Sequence, residues 1–414
     1  MGIKVTITGL GHLGHGLATL DGKTIHIPYT APGDEADITL KRGKRGTEIK
    51  LKQVLIPGPD RQTPPCPYFG TCGGCALQHL TPGAYIAFKK EQLATTLAQR
   101  GLHVPVADVV TTQPASRQRV RLALRQTGGA LVMGFQAFRS HHIIDIAGCA
   151  VAHPDLTALF TPLRKALRPI LPHGATVDLQ LTLTETGVDA LLDGDWQLDL
   201  TAREALADIA HGLNLARLVV RNNTFTDPVA VRHAPVVTIG GRPVALPVGA
   251  FLQASQPSTH ALQALVAAGL SGISGRIADL FSGLGTFSLP LAAEGRVVHA
   301  VESIADALDA QKAAAHGLPL STEERDLFEM PLMPDELSTY GAVVLDPPRA
   351  GAQAQVQQLA ASTVERIVYV SCNPASFARD GRILVDGGYT LSSVTPVDQF
   401  LWSAHTELVA AFTR

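Results

Sequence analysis

No apolar run in the 414 residues approaches the ~20 needed for a membrane-spanning helix, and the opening Met1-Gly-Ile-Lys-Val-Thr-Ile7 alternates like a strand. A cytoplasmic protein with no membrane partner is expected. An excess of basic charge is also missing, since the formal net charge is −2. Any nucleic-acid contact must therefore come from a local basic surface, not from the field of the whole molecule. Internal repeats and low-complexity tracts are absent. Cysteine is scarce, and its five residues divide into Cys66, Cys72, Cys75 and Cys149 in the first half and a solitary Cys372. Four plus one suggests a metal set and a separate nucleophile.

What is present is ample apolar material, 46% of the chain, in a length that implies two or three domains. Residues 1–58 hold short alternating runs punctuated by Gly and Pro, such as Gly16-Leu-Ala-Thr-Leu and Ala36-Asp-Ile-Thr-Leu. They read as a small β-barrel of oligonucleotide-binding type, which would either carry RNA or merely pack on its neighbour. Lys41, Arg42, Lys44, Arg45, Lys50 and Lys52 form one basic cluster; Arg117, Arg119, Arg121 and Arg125 form another. Clusters of this size are usually solvated faces. A proline-rich stretch leads into the cysteines, a helix is expected at 82–100, and residues 59–245 read as a central α+β domain. From 246 to 414, helix and strand alternate as in a doubly wound parallel sheet.

In that last segment, Gly275-Arg-Ile-Ala-Asp-Leu-Phe-Ser-Gly-Leu-Gly-Thr-Phe reads as a buried strand, a turn at Gly283 and Gly285, and a helix opening at Thr286. Glu302 ends the next strand, where a carboxylate accepts the hydroxyls of a ribose. Ser288 stands where a dinucleotide fingerprint has its third glycine, which favours S-adenosylmethionine over a nicotinamide cofactor. Asp326 either receives an adenine amino group or caps a helix before Leu327.

Val343-Val-Leu-Asp-Pro-Pro-Arg349 places Asp346 at a strand end facing the ligand crevice. Amino-group methyltransferases carry an aromatic residue after a similar turn. Arginine instead suits a phosphate or a base edge. Ile367-Val-Tyr-Val-Ser-Cys-Asn-Pro374 puts Cys372 at the next strand tip, before a helix whose N-terminus is expected to lower the thiol pKa. A lone cysteine is usually a small buried hydrophobe. Beside a methyl-donor crevice it has a use, because carbon 5 of uracil becomes nucleophilic once a thiolate adds to carbon 6. A base must then remove the carbon 5 proton. Glu407, the carboxylate in Ser403-Ala-His-Thr-Glu-Leu-Val, is assigned that role, with His405 as the other candidate or an orienting group. The target uridine has to be unpaired or flipped out.

Disulfides rarely persist in a chain of this kind, so the other four cysteines point to zinc or an iron–sulfur cluster. Three clustered thiols plus one remote favour [4Fe–4S] over the paired hairpins of zinc sites, in a structural or RNA-docking role.

Together these motifs resemble the RNA uracil-C5 methyltransferase family, in its cluster-containing branch that includes 23S rRNA enzymes. The resemblance implies an N-terminal TRAM domain, a cluster-bearing central domain and a Rossmann-like C-terminal domain. It places Phe251-Leu-Gln253, Phe281 and Thr286 with Glu302, Asp326 and Asp346 around S-adenosylmethionine, makes Cys372 the nucleophile, and gives the cluster to Cys66, Cys72, Cys75 and Cys149. Asp346 is expected to serve the chemistry as well. Ser116-Arg-Gln-Arg119 and Asp398-Gln-Phe-Leu-Trp-Ser-Ala-His405 depart from the family pattern at positions expected near RNA. A monomer acting on 23S rRNA is the leading expectation. The alternatives are the T-loop of tRNA, an RNA-binding protein with a vestigial methyl-donor site, and an iron–sulfur redox protein.

Overall fold

The computed structural model describes residues 2–43 and 46–414, so Lys44 and Arg45 of the first basic cluster lie outside the described residues. The N-terminal body is a barrel of two antiparallel three-stranded sheets. Ile3–Thr6, Glu35–Gly43 and Gly46–Ile56 form one; Gly9–Leu10, Gly16–Leu20 and Lys23–Ile27 form the other. Strand alternation sends Val5, Ile7, Ala18, Ile27, Ala36 and Ile38 into a shared core, as period-two patterning requires. Lys41, Lys50 and Lys52 remain exposed.

The central body is a seven-stranded sheet in the order Ile143–Asp145, Ala130–Gln136, Arg119–Thr127, Thr176–Thr184, Gly187–Asp193, Arg217–Arg221, Thr226–Val231. Its pairings are antiparallel except between Gly187–Asp193 and Arg217–Arg221. The helices Phe160–Leu167 and Leu200–Gly212 bury Leu163, Leu167 and Leu206 in one core with Leu122, Leu124, Leu179 and Leu181 of the sheet.

The C-terminal body carries an eight-stranded sheet. Its order is Leu320–Glu324, Val298–Glu302, Ile277–Leu280, Ala342–Leu345, Arg366–Ser371, Glu407–Thr413, Thr390–Asp398, Val110–Thr111. The first five strands are parallel, and Glu407–Thr413 enters antiparallel between Arg366–Ser371 and Thr390–Asp398. The central strands are buried throughout, and apolar but for Asp279, because helices cover both faces.

Packing crosses the boundary expected at 245. The helix Pro82–Ala98, started by Thr81 and Pro82, buries Leu93 and Leu97 in the same core as Leu345, Tyr369 and Phe412. Val110–Thr111 joins the edge of the C-terminal sheet, and the hairpin Val236–Ile239/Arg242–Ala245 packs Ile239 and Val244 against Leu284 and Ala307. Residues 82–111 and 236–245 therefore belong by packing to the C-terminal body. Among the described residues no helix is long and apolar enough to cross a membrane.

Candidate active site

Chain order in the C-terminal sheet runs outward from Ile277–Leu280 to Leu320–Glu324, then returns to Ala342–Leu345 on the other side. The carboxyl ends of Ile277–Leu280 and Ala342–Leu345 therefore border the crevice where sheets of this kind take ligands. The turn after the first strand is strongly bent: Phe281, Gly283 and Gly285 have φ of 63°, 55° and 86°. A Cβ at Gly285 would meet Leu289 at 2.9 Å and Gln311 at 3.0 Å, so no larger residue fits. The following helix opens at Ser288, not at Thr286, whose carbonyl instead accepts a hydrogen bond from Gln263. Ser288 explains its own place in the turn, because its hydroxyl donates to Asp279, whose buried carboxyl is raised to about 7.

Glu302 reaches back into this turn. One carboxylate oxygen accepts the Gly283 N–H at 3.0 Å, and the other accepts the Ser303 and Ile304 N–H groups at 2.7 and 3.0 Å. Asp326 caps no helix; it closes a tight turn by accepting the Phe328 N–H at 2.9 Å. Phe251, Ile304 and Phe328 are left 70%, 61% and 45% exposed in segments next to Gln253, Glu302 and Asp326. Phe328 packs 5.4 Å from Phe281. A carboxylate at a strand end, a glycine turn and open apolar side chains form a donor set that fits an adenosine-bearing cofactor such as S-adenosylmethionine.

The residues expected to react meet through strand register. Ser371 pairs with Leu408, so Cys372 comes opposite Glu407; Leu345 pairs with Tyr369, so Asp346 ends the strand on the other flank. Glu407 is not a surface residue of an edge strand. It is 2% exposed in an interior strand, and burial raises its carboxyl to about 7, opposed by a hydrogen bond from Gln399 at 2.6 Å. Burial, then Glu407 and Asp279, push Asp346 well above the carboxylate range. Gln253 donates to Asp346 at 3.2 Å.

Cys372 corrects one expectation. Asn373 caps the helix Pro374–Asp386 as anticipated, yet the thiol is pushed up to about 11, chiefly by burial and then by Glu407 and Asp346. Arg349 opposes that rise. Helix polarity is a weak effect against desolvation next to two carboxylates. Arg349 also lies 3.1 Å from His405 Nδ1, and its carbonyl accepts from Asn373 at 2.8 Å, which ties the two motif turns together. The exposed His405 ring meets Arg349, whereas its carbonyl is held by the ammonium of Lys89.

Cys66, Cys72, Cys75 and Cys149 line one cavity of about 400 Å³, together with Tyr68, Arg117, Phe400 and His405. All four are free thiols. Burial, followed by neighbouring thiols, raises Cys75 to about 12. Among the described residues no three His, Cys, Asp or Glu side chains converge to hold a metal ion, so the expected iron–sulfur site does not appear as a formed ligand set. All four cysteines nevertheless border one space, and burial and the neighbouring thiols raise Cys75 and Cys72.

The Arg-Gln-Arg segment expected near RNA packs inward. Gln118 donates to the Gln253 carbonyl at 3.0 Å, and Arg119 to the Ala250 carbonyl at 3.0 Å and to Gln180. Of the second basic cluster, only Arg121 and Arg125 are exposed. Sequence reasoning missed Lys89 and Gln399. Lys89 is fully buried, with its ammonium 3.1 Å from Asp398. The signal was present, because Lys89 interrupts the apolar stripe Tyr85, Leu93, Leu97 at four-residue spacing.

A three-body chain with a switch-point crevice, a strand-tip cysteine and two buried carboxylates defines a Rossmann-like methyltransferase with an N-terminal barrel. Comparisons agree. A TRAM domain model matches residues 3–47, and the tRNA (Uracil-5-)-methyltransferase model matches residues 322–413. The chain is 42% identical to an uncharacterized RNA methyltransferase of Brucella suis over 99% of its length and 98% of the relative. It is 33% identical to the 23S rRNA (uracil(1939)-C(5))-methyltransferase of Shewanella amazonensis, covering 99% of the chain and 95% of that protein. The fold matches that of Pyrococcus abyssi tRNA (uracil-54, C5)-methyltransferase, solved with S-adenosyl-L-homocysteine, with a TM-score of 0.77 at 22% identity over 99% and 100% of the two chains. The chain belongs to the family of RNA uracil-C5 methyltransferases.

Proposed function

We propose that this enzyme methylates carbon 5 of a specific uridine in 23S rRNA, through a covalent bond between Cys372 and carbon 6 of the base. The observation that carries this reading is the register that sets Cys372 between Asp346 and Glu407 at the crevice. S-adenosylmethionine, when bound, supplies an electrophilic methyl group. Glu302 would hold its ribose and Asp326 its adenine, with Gln253, Phe281, Gly283, Gly285, Thr286 and Asp346 lining the rest. Cys372 gives its thiol proton to solvent and adds to carbon 6, and the carbon 5–carbon 6 π electrons shift onto the carbon 4 carbonyl, making carbon 5 electron-rich. After methylation the remaining carbon 5 proton passes to Glu407, and Cys372 leaves by elimination. A group titrating near neutrality is matched to that exchange.

The Shewanella relative and the four-cysteine cavity support 23S rRNA as substrate. The T-loop uridine of tRNA is the second reading, favoured by the family model over residues 322–413. A [4Fe–4S] cluster on Cys66, Cys72, Cys75 and Cys149 is part of the proposal, in a structural role. Mapping 5-methyluridine in 23S rRNA and tRNA from a deletion strain decides the substrate: loss of one 23S site is expected, and loss confined to tRNA would select the second reading. Cys372→Ala should abolish methyl transfer and leave S-adenosylmethionine affinity within about twofold. Turnover near wild-type would remove the nucleophile assignment.

A further inference from the structure

Behind the reacting groups lies a buried chain of side chains that the proposed reaction does not by itself require. Gln399, 5% exposed, bridges Gln253 and Glu407. Its orientation is fixed by atoms that have no choice. The Ala254 backbone N–H can only donate, and it meets Gln399 Oε1 at 3.1 Å. The Gln399 amino group must therefore face the other way, with one N–H for Gln253 Oε1 at 3.0 Å and one for Glu407 Oε2 at 2.6 Å. Because the Gln253 oxygen is occupied, its own amino group is turned toward Asp346, at 3.2 Å.

We propose that Gln399 is a positioning residue that holds Glu407 as an ionised acceptor and at the same time locks the Gln253 amide with its N–H groups toward the crevice. The inference rests on the reading of Glu407 as the base. Among the described residues Glu407 has no cation in hydrogen-bond contact, whereas Asp346, with Asp279 beyond it, opposes its charge from one side and Cys372 lies opposite. Arg349 contacts His405, and the Lys89 ammonium is taken by Asp398 and the His405 carbonyl. The Gln399 amide is then the donor that favours the carboxylate.

The test is the pH dependence of methyl transfer from labelled S-adenosylmethionine to unmodified 23S rRNA, for the wild-type and Gln399→Met. Removing the donor favours protonated Glu407, so the acid limb of kcat should move up by roughly one to two pH units, as expected for a hydrogen bond to a charge. The expected result is a kcat about tenfold or more below wild-type at pH 6.5, recovery to within about threefold at pH 9, and an RNA KM within about threefold throughout. Loss by one constant factor at every pH, or an unchanged profile, would overturn the inference. Gln399→Asn, too short to span both partners, gives the same reading should Gln399→Met fail to unfold cooperatively. Glu407→Gln, assayed in parallel, separates the two levels of claim. A denaturation-resistant RNA adduct in that variant combined with a constant-factor Gln399→Met profile removes only the role of Gln399. Normal turnover by Glu407→Gln removes the base and this inference together.

Discussion

Asp346, a residue of the proposed site, costs the fold stability. Its carboxyl is raised by burial and by the nearby carboxylates Glu407 and Asp279, so its charged form sits in a place that disfavours charge. A carboxyl raised above its unfolded value lets the native state bind the extra proton, and stability declines as pH rises from the unfolded value through the folded one. Asp346→Asn keeps an acceptor for Gln253 and removes the charge. It is expected to raise the thermal midpoint by about 2–5 °C at pH 8 and by much less at pH 5, while methylation is lost. Scanning calorimetry at the two pH values reads this; equal gains at both would show that charge is not the cause. Asp346, Cys372 and Glu407 could be singled out in the sequence because each stands at a strand end flanked by distinctive turns. The direction of the Cys372 shift could not be read there, because it depends on burial first and then on carboxylates 26 and 35 positions away along the chain that only strand pairing brings close.

At the scale of elements, the helix Pro82–Ala98 and the segment before Glu407 are fastened by polar groups in a dry place. Lys89 pairs with Asp398 at 3.1 Å, both fully buried, and Tyr85 donates to Asp398 at 2.6 Å while accepting the Trp402 N–H at 2.9 Å. Gln92 donates to the Ala404 carbonyl at 3.1 Å. Removing one partner leaves a buried charge uncompensated, so Lys89→Ala should destabilise by about 3–5 kcal/mol. Urea titration measures the cost, and a loss under about 1 kcal/mol would mean that water replaces the ammonium. The helix itself was readable from Thr81, Pro82 and its apolar stripe; its destination was not. Amphipathic spacing says which face is buried and nothing about the partner, so a helix expected in the central domain lies on the C-terminal sheet.

At the scale of the whole molecule, the cysteine cavity and the catalytic segment share a wall. The Ala76 and Leu77 N–H groups both donate to the Trp402 carbonyl, at 2.8 and 3.0 Å, and Phe400 and His405 line the cavity. On the proposed cluster, Cys75→Ser is therefore expected to lower methylation at least tenfold and to abolish a brown colour and ~400 nm absorbance in the anaerobically purified protein. Zinc without iron in the wild-type protein would replace the cluster with a metal ion. The barrel, central sheet and C-terminal sheet were each foreseeable from local alternation, because period and turn residues are local properties. Their mutual borders were not, since these depend on apolar faces meeting across long stretches of chain.

Leu93 and Leu97 leave the ribosome roughly 180 residues before Ile277, the first of the parallel strands in the sheet they cover, and Phe412 comes at the very end. A nascent chain must carry that greasy helix unfinished through the synthesis of the entire central body. A gene fragment starting at residue 246 would lack it and Val110–Thr111, and would enter the cell with one flank of its sheet bare.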